Sequence, residues 1–272
     1  MIKHPFTDNQ AWLALKNGIV TIAKQQVLTR FNQVGFEFKA DGSLLTEADT
    51  EMQRHTQIFL QQHWPQFALV GEESDLAQQQ AALDSVNGCW ILDPVDGTTN
   101  FANGIPFFSV SLALMIDKTL VAGLVYDPAR DELFAARLGM GAELNHQPLP
   151  ALTDRPPLKQ CVGIVDFKRL SAPLAGALAS APPYSSQRSW GSVALDWCWI
   201  ALGRGQVYLH GNQSLWDYAA GWLILNEAGG ASCDLNGERV FINKIGKRPA
   251  VAAINKPTLE LWKTWIQQHN PS

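Results

Sequence analysis

The chain is sparing with cysteine: Cys89, Cys161, Cys198 and Cys233 stand far apart along 272 residues, and none forms a Cys-x-x-Cys pair. That spacing argues against a disulfide framework and a zinc site and predicts reduced, mostly buried thiols. A basic block is also missing. The 21 Lys and Arg are dispersed among 25 Asp and Glu for a net charge of -4, so charge neutralisation along a nucleic acid is not expected as the main role. No apolar run reaches bilayer length, and residues Met1 to Arg30 are interrupted by Asp8, Asn9, Gln10 and Asn17 where a secretory leader needs an unbroken apolar core. These absences predict a cytoplasmic protein with no membrane partner. With 46% apolar and 17% charged residues, the composition is that of a globular chain rather than a disordered one. Its length suits one large domain or two closely packed lobes.

Periodicity supplies the organisation. Trp12, Leu15, Ile19, Ile22, Ala23 and Val27 recur at mostly three- and four-residue steps, which predicts an amphipathic helix from Thr7 to about Phe31. A loop around Asp41-Gly42-Ser43 precedes Thr46, which can cap a second helix to about Gln62; His55 and His63 fall on that helix as surface or core-edge residues. Strands are expected at Phe67 to Val70, Ile91 to Asp93, Phe107 to Ile116, Leu120 to Tyr126 and Glu132 to Ala136. Gly139-Met140-Gly141 lacks the third glycine and following helix of a nucleotide loop and is expected to be a hairpin turn. Pro and polar residues from Ala151 to Lys159 mark the best boundary, dividing an N-terminal lobe, 1–150, from a C-terminal lobe, 151–272. Beyond it the pattern predicts strands at Val162 to Val165 and Gln206 to His210. It also predicts helices at Ala172 to Ala181, Ser192 to Leu202 and Leu215 to Ala228, and an Asn236-Gly237 hairpin turn.

The chemistry concentrates in Ile91-Leu92-Asp93-Pro94-Val95-Asp96-Gly97-Thr98-Thr99-Asn100-Phe101. Pro94 cannot donate to a central ladder, so the strand is expected to end with Asp93 at its mouth. Asp93 and Asp96 then share a constrained turn, Gly97 permits close backbone approach, and the amides and hydroxyls of Thr98 and Thr99 offer donors to an anion. Two acids beside an anion cradle require a cation between them. An isolated Asp-Gly-Thr would be an Asx turn; with Pro94, two acids and paired threonines the pattern favours a metal-phosphate site. Glu72-Glu73 sits at another strand end, Thr46 to Asp49 opens a helix, and Asp217 opens the apolar run Trp216 to Gly221, where it could simply favour the helix dipole. Oxygen-only donors of this kind suit a hard cation such as magnesium.

Gly71-Glu72-Glu73-Ser74, Asp93 to Phe101 and Trp216-Asp217-Tyr218-Ala219-Ala220-Gly221 resemble, in the same order, the three signature motifs of the inositol monophosphatase family. Thr46-x-x-Asp49 and Arg188-Ser189-Trp190-Gly191-Ser192 extend the similarity over most of the chain. The resemblance implies an α/β (α+β) layered sandwich of alternating helix and sheet layers, shared with fructose-1,6-bisphosphatase. It also implies a lithium-sensitive phosphomonoesterase using two or three Mg2+ ions, and a homodimer. By position, Glu72, Asp93 and the Val95 carbonyl would hold the first ion, and Asp93, Asp96 and Asp217 the second. Thr98, oriented by Asp49, would position the attacking water with Glu72, and the Gly97 and Thr98 amides would meet the phosphate. Glu73 is either a ligand to a third ion through water or a solvated neighbour; Lys39 is either a counter-charge or an exposed loop lysine.

The substrate side departs from the pattern. Inositol-preferring relatives carry Glu six residues before the Trp of the Trp-Asp motif, where this chain has His210, and Val193 replaces the usual Ala of Gly191-Ser192-Val193. An imidazole offers a donor and an acceptor where a carboxylate offers acceptors only. Substrate contacts are expected from Asp96, Gly97, Thr98, Gly191, Ser192, Val193, His210 and Asp217. The expected partner is a small phosphorylated metabolite, an inositol-1-phosphate-like or other sugar or polyol phosphate. Family relatives leave a 3'(2'),5'-bisphosphate nucleotide, fructose 1,6-bisphosphate and histidinol phosphate as alternatives, the first needing an aromatic platform that Trp190 to Trp199 could provide. A regulatory module working through a protein partner is the alternative from a different class.

Overall fold

The computed structural model describes residues 2–33, 35–38 and 44–270; Lys39 and the Asp41-Gly42-Ser43 loop lie outside them. In chain order its elements are α1 (Asn9–Gln26), β1 (Phe36–Phe38), β2 (Leu44–Thr46), α2 (Glu47–His63), β3 (Ala68–Gly71), α3 (Leu76–Leu83), β4 (Cys89–Asp96), α4 (Thr98–Ala102), β5 (Ser109–Ile116), β6 (Thr119–Asp127), β7 (Glu132–Arg137), β8 (Ala142–Leu144) and β9 (Gln147–Pro148). The second half continues with β10 (Val162–Asp166), α5 (Ala172–Ser180), β11 (Ser186–Arg188), α6 (Val193–Ala201), β12 (Val207–Ser214), α7 (Leu215–Glu227), β13 (Ala231–Cys233), β14 (Lys247–Ala253) and α8 (Lys256–His269).

Strands β3 to β9 form one sheet in chain order, with β3 parallel to β4 and every later pair antiparallel. A second sheet has the order β11-β10-β12-β14-β13; β10 is parallel to both neighbours, and β14 is antiparallel to both of its own. Alternation along the strands assigns each face to a layer. In β4, Trp90 and Leu92 pack with Trp12, Leu15 and Ile19 of α1 and with Met52 and Leu60 of α2, whereas Ile91 faces the opposite way. On that side Ile91, Ala113 and Val125 meet Leu195 and Trp197 of α6 and Ala219, Leu223 and Ile224 of α7, which also cover Ile164, Tyr208 and Ala252 of the second sheet. The outer face of the second sheet, Val165, Val207, Leu209 and Val251, is closed by α5 and α8 through Leu178, Leu259 and Trp262. The result is a layered α/β sandwich, helix-sheet-helix-sheet-helix. Strands buried on both faces lose polar alternation, which is why β5 reads Ser-Val-Ser-Leu-Ala-Leu-Met-Ile.

Local signals set the helix ends. Asp8 caps α1 through the amides of Gln10 and Ala11, and Thr46 with Asp49 forms a capping box on α2. Close packing of the central helix layer explains the glycine of the Trp-Asp motif: a Cβ on Gly221 would lie 2.6 Å from Trp197 Cβ.

Two sequence expectations need correction. β4 does not end at Asp93; it runs to Asp96 through an irregularity in its pairing with β5 between Asp93 and Asp96. Pro94 occupies that bulge, where no ladder donor is required, and β3 has already stopped pairing at Leu92. Asn236-Gly237 does turn, with Gly237 at φ 87 and both Asn236 and Glu238 amides donating to Asp234. It does not make a two-residue hairpin, because the strand that pairs with Ala231–Cys233 begins only at Lys247. Gly139 and Gly141 do lie in the turn between the antiparallel β7 and β8, and their amides donate to the Glu227 carboxylate at 2.8 and 2.9 Å.

Candidate active site

The ends of β3, β4, β10 and β12 and the starts of α4, α6 and α7 converge on a cavity of about 540 Å³. Glu72, Asp93, Val95, Asp96, Gly97, Thr98, Gly191, Val193, His210 and Asp217 all line it, although they come from segments up to 145 residues apart (72 to 217). Two further site residues act from behind the wall. Asp49, fully buried, accepts from the Thr46 amide at 2.8 Å and the Thr46 hydroxyl at 2.5 Å through Oδ2, leaving Oδ1 3.3 Å from Thr98 Oγ1. Ser192 was expected at the substrate; instead its buried hydroxyl donates to Asp96 Oδ2 at 2.5 Å, because the turn into α6 points it inward.

Asp96 is the most constrained acid. Besides Ser192, the Ala194 amide donates to Oδ2 at 2.7 Å and the Val193 amide to Oδ1 at 3.1 Å. The carboxylate thus satisfies otherwise orphaned donors at the α6 N-terminus and docks that helix on the β4 bulge. Asp93 is held by the Val95 amide at 3.1 Å. Asp217 completes a capping box with Ser214, and the Trp216 carbonyl accepts from Ser111 at 3.0 Å, fastening the start of α7 to β5. Gly97 is required twice over: its φ of 92 is left-handed, and a Cβ there would lie 3.0 Å from the Gly191 carbonyl and 3.1 Å from that of Phe107.

Burial and mutual repulsion dominate the electrostatics. Asp93 is raised well above the carboxylate range by desolvation and then by Glu72, Asp96, Asp217 and Asp49. Asp217 is raised by burial, Asp96 and Glu72. Asp96 is pushed up to about 6 by burial, against the lowering effect of its Ser192, Ala194 and Val193 donors. Asp196, also lining the cavity and buried, is raised by desolvation and by Asp96 and Asp166. Among the described residues no three His, Cys, Asp or Glu side chains are drawn into a preformed tight metal cage. The donor set nevertheless fits hard cations: all its atoms are oxygens, and their repulsion in a buried wall is what divalent charge relieves.

Comparison with known proteins gives the family of the chain. Residues 8–268 match the model of the inositol monophosphatase family. The chain belongs to that family. It is 36% identical to inositol monophosphatase 1 of Solanum lycopersicum over 84% of both chains, and 34% identical to the Nus factor SuhB of Pasteurella multocida over 75% of this chain and 76% of that protein. The crystal structure of the extragenic suppressor protein suhB from Bartonella henselae superposes with a TM-score of 0.81 at 29% identity, covering 94% of this chain and 99% of that one. As a member of the inositol monophosphatase family, the chain is a phosphoric monoester hydrolase.

Residues given no role from the sequence also shape the cavity. Gln79 on α3 donates to the carbonyls of Gly71, Glu72 and Ser74 and so shapes the loop that presents Glu72. Asn100 donates to the Phe107 and Trp190 carbonyls at 2.7 and 2.6 Å, joining the loop after α4 to the one entering Gly191. Asp166, Lys168, Arg169 and Asn212 line the far end of the cavity. Asp166 carries the signal that identified Asp93, an acid at the end of an apolar strand. The tryptophans from 190 to 199 are not in the cavity wall: Trp190 stacks on Phe107 at 5.4 Å with Trp199 edge-on to both, and Trp197 is fully buried. The four cysteines are free and buried, as their spacing predicts, and burial pushes Cys89 up to about 12 and Cys161 and Cys233 to about 11. No helix among the described residues is long and apolar enough to cross a membrane.

Proposed function

We propose that this chain hydrolyses a small polyol- or sugar-like phosphomonoester with the aid of Mg2+. The observation that carries the reading is the convergence of Glu72, Asp93, Asp96 and Asp217 with a Thr98 hydroxyl aimed between Asp49 and the Val95 carbonyl. Glu72, Asp93 and the Val95 carbonyl would hold one ion and Asp93, Asp96 and Asp217 a second. When bound, such ions supply charge stabilisation at both the entering and leaving oxygens of an in-line displacement and make a water more acidic.

The chain's own groups do the positioning. Thr98 Oγ1 lies 2.9 Å from the Val95 carbonyl and 3.3 Å from Asp49 Oδ1, and its single proton serves one of them at a time. Its lone pairs are thereby turned toward the cavity, where they orient the attacking water. Glu72, which also lines the cavity, receives the water proton. The Gly97 and Thr98 amides hold phosphate oxygens, and Asp96 keeps the Gly191 to Val193 turn seated against them. Water attacks phosphorus as the bond from phosphorus to the ester oxygen breaks, the departing alkoxide takes a proton from bulk water to become the alcohol, and no covalent phosphoenzyme is involved. Sheet membership, strands 68–148 against strands 162–253, supports lobes of 1–150 and 151–272 with the site between them. A homodimer belongs to the same reading on family grounds.

A phosphate-release screen over a panel of phosphomonoesters, with and without Mg2+, tests it: metal-dependent turnover of a polyol phosphate is expected, and Asp93→Asn abolishes it while far-UV circular dichroism is unchanged. Full turnover by Asp93→Asn refutes the site. The 34% identity to a Nus factor supports a second reading, a regulatory module acting through a protein partner. Rescue of a deletion phenotype by the inactive Asp93→Asn chain would favour it.

A further inference from the structure

Beyond the acids of the phosphate end, the cavity continues to the mouths of β10 and β12, where Asp166, Lys168, Arg169, His210 and Asn212 line it. Asp166 and His210 are register partners on these parallel strands. The imidazole is 5% exposed and fully committed. Its Nδ1 accepts from the Asn212 amide at 3.1 Å, which places the proton of the neutral ring on Nε2, and Nε2 lies 3.0 Å from Asp166 Oδ2. His210 therefore has neither a donor nor an acceptor left for a ligand, contrary to the expectation from its position six residues before Trp216.

Asp166 is differently placed. Its side chain is 28% exposed, and the Lys168 amide donates to Oδ1 at 2.8 Å. Each oxygen thus has one donor and a second lone pair available. The His210 hydrogen bond holds this carboxyl below its ordinary range, so it is an acceptor without a proton at neutral pH. The turn that presents it is tightly built. A Cβ on Gly211 would sit 1.8 Å from the Arg169 carbonyl, and the Arg169 guanidinium donates to the Asn212 carbonyl at 3.1 Å.

We propose that Asp166 is the specificity-determining residue for the alcohol half of the substrate, accepting hydrogen bonds from adjacent hydroxyls of a polyol, and that His210 is a positioning residue that orients it without touching the ligand. Lys168 and Arg169 on the same wall disfavour a cationic group there, so the donors it meets are hydroxyls. The inference rests on the phosphatase reading and adds to it the residue that reads the leaving group.

The test compares kcat/KM for a polyol monophosphate, myo-inositol 1-phosphate, with that for p-nitrophenyl phosphate, which has no hydroxyls, in the wild type, Asp166→Ala and His210→Phe. Wild type favours the polyol ester. Asp166→Ala lowers the ratio of the two by roughly 10- to 100-fold, the loss expected for hydrogen bonds to a charged acceptor, and does so through KM. His210→Phe keeps the ring but frees the carboxylate, and lowers the ratio by less than Asp166→Ala does. A wild-type ratio near one, an unmoved ratio in Asp166→Ala, or an equal fall in kcat on both esters overturns the inference while leaving the phosphatase reading standing. So does a greater loss on phosphoethanolamine, which would make Asp166 a cation site. Absence of wild-type turnover on every ester overturns both.

Discussion

Asn100→Ala tests how the loops around the phosphate end are held. The Asn100 amide nitrogen donates to two carbonyls, Phe107 at 2.7 Å and Trp190 at 2.6 Å, and the residue is 9% exposed. Each such bond contributes about 0.5–1.5 kcal/mol net, and leaving a buried acceptor unpaired adds a desolvation cost. Alanine gains a few tenths of a kcal/mol in helix propensity within α4, so the balance is a loss of about 2–4 kcal/mol. For a domain of this size that corresponds to a fall in Tm of about 4–16 °C, at roughly 2–4 °C per kcal/mol. Because the Trp190 carbonyl precedes Gly191 in the cavity wall, KM for phosphate esters rises as well. Differential scanning calorimetry of wild type, Asn100→Ala and Asn100→Asp provides the assay. Asn100→Asp keeps the shape but turns an acceptor toward two carbonyls, and is expected to be the worse variant. A loss below about 0.5 kcal/mol for alanine, or a milder effect for aspartate than for alanine, refutes the argument.

Gly97→Ala is expected to lose phosphate-ester turnover and about 1–2 kcal/mol or more of stability from the left-handed φ alone, with further cost from the Gly191 carbonyl 3.0 Å from the new Cβ; wild-type kcat/KM in this variant would contradict it. Trp197→Ala, emptying a fully buried position between α6 and α7, is expected to cost about 3–5 kcal/mol, read as a shifted urea midpoint. His4 is buried, its Nδ1 has no partner, and desolvation and then Arg137 lower its pKa from 6.5. The unfolded chain therefore takes up the proton first on acidification. The stabilising contribution is complete above the ordinary imidazole pKa and disappears as pH falls through the lower folded value. His4→Gln should flatten that part of the stability profile between pH 7.5 and about 5, and an identical slope in both proteins would rule the contribution out.

Elements with one buried face were legible from periodicity alone. The stripe Trp12, Leu15, Ile19, Ala23 is the inner face of α1, and Thr46 caps α2 as its three-residue spacing to Asp49 implies. The long strands β5 to β7 were equally clear, since residues buried on both sides leave continuous apolar runs. Strands that exist through their neighbours were not. β11, Ser186–Arg188, is mostly polar and is a strand because β10 pairs with it in parallel; β14 contains Pro249 yet lies between β12 and β13. Helix α8 carries a stripe, Leu259, Trp262 and Ile266, at the three- and four-residue steps of a helix with one buried face.

For the site, sequence alone determined the chemistry of the donors: oxygen ligands at strand ends and helix starts, a glycine that tolerates φ 92, and a threonine beside them. Their identities suffice because metal preference and backbone permissiveness are properties of residue types. Tertiary structure decided which of them face the cavity. Ser192 turned inward to Asp96, Asp49 came to lie 3.3 Å from the Thr98 hydroxyl, and the strand past Asp93 continued across a bulge instead of ending. It also decided the fate of His210. Whether an imidazole is offered to a ligand depends on what its two nitrogens already bind, and here the amide two residues on and a carboxylate 44 positions earlier, on the neighbouring strand, hold both.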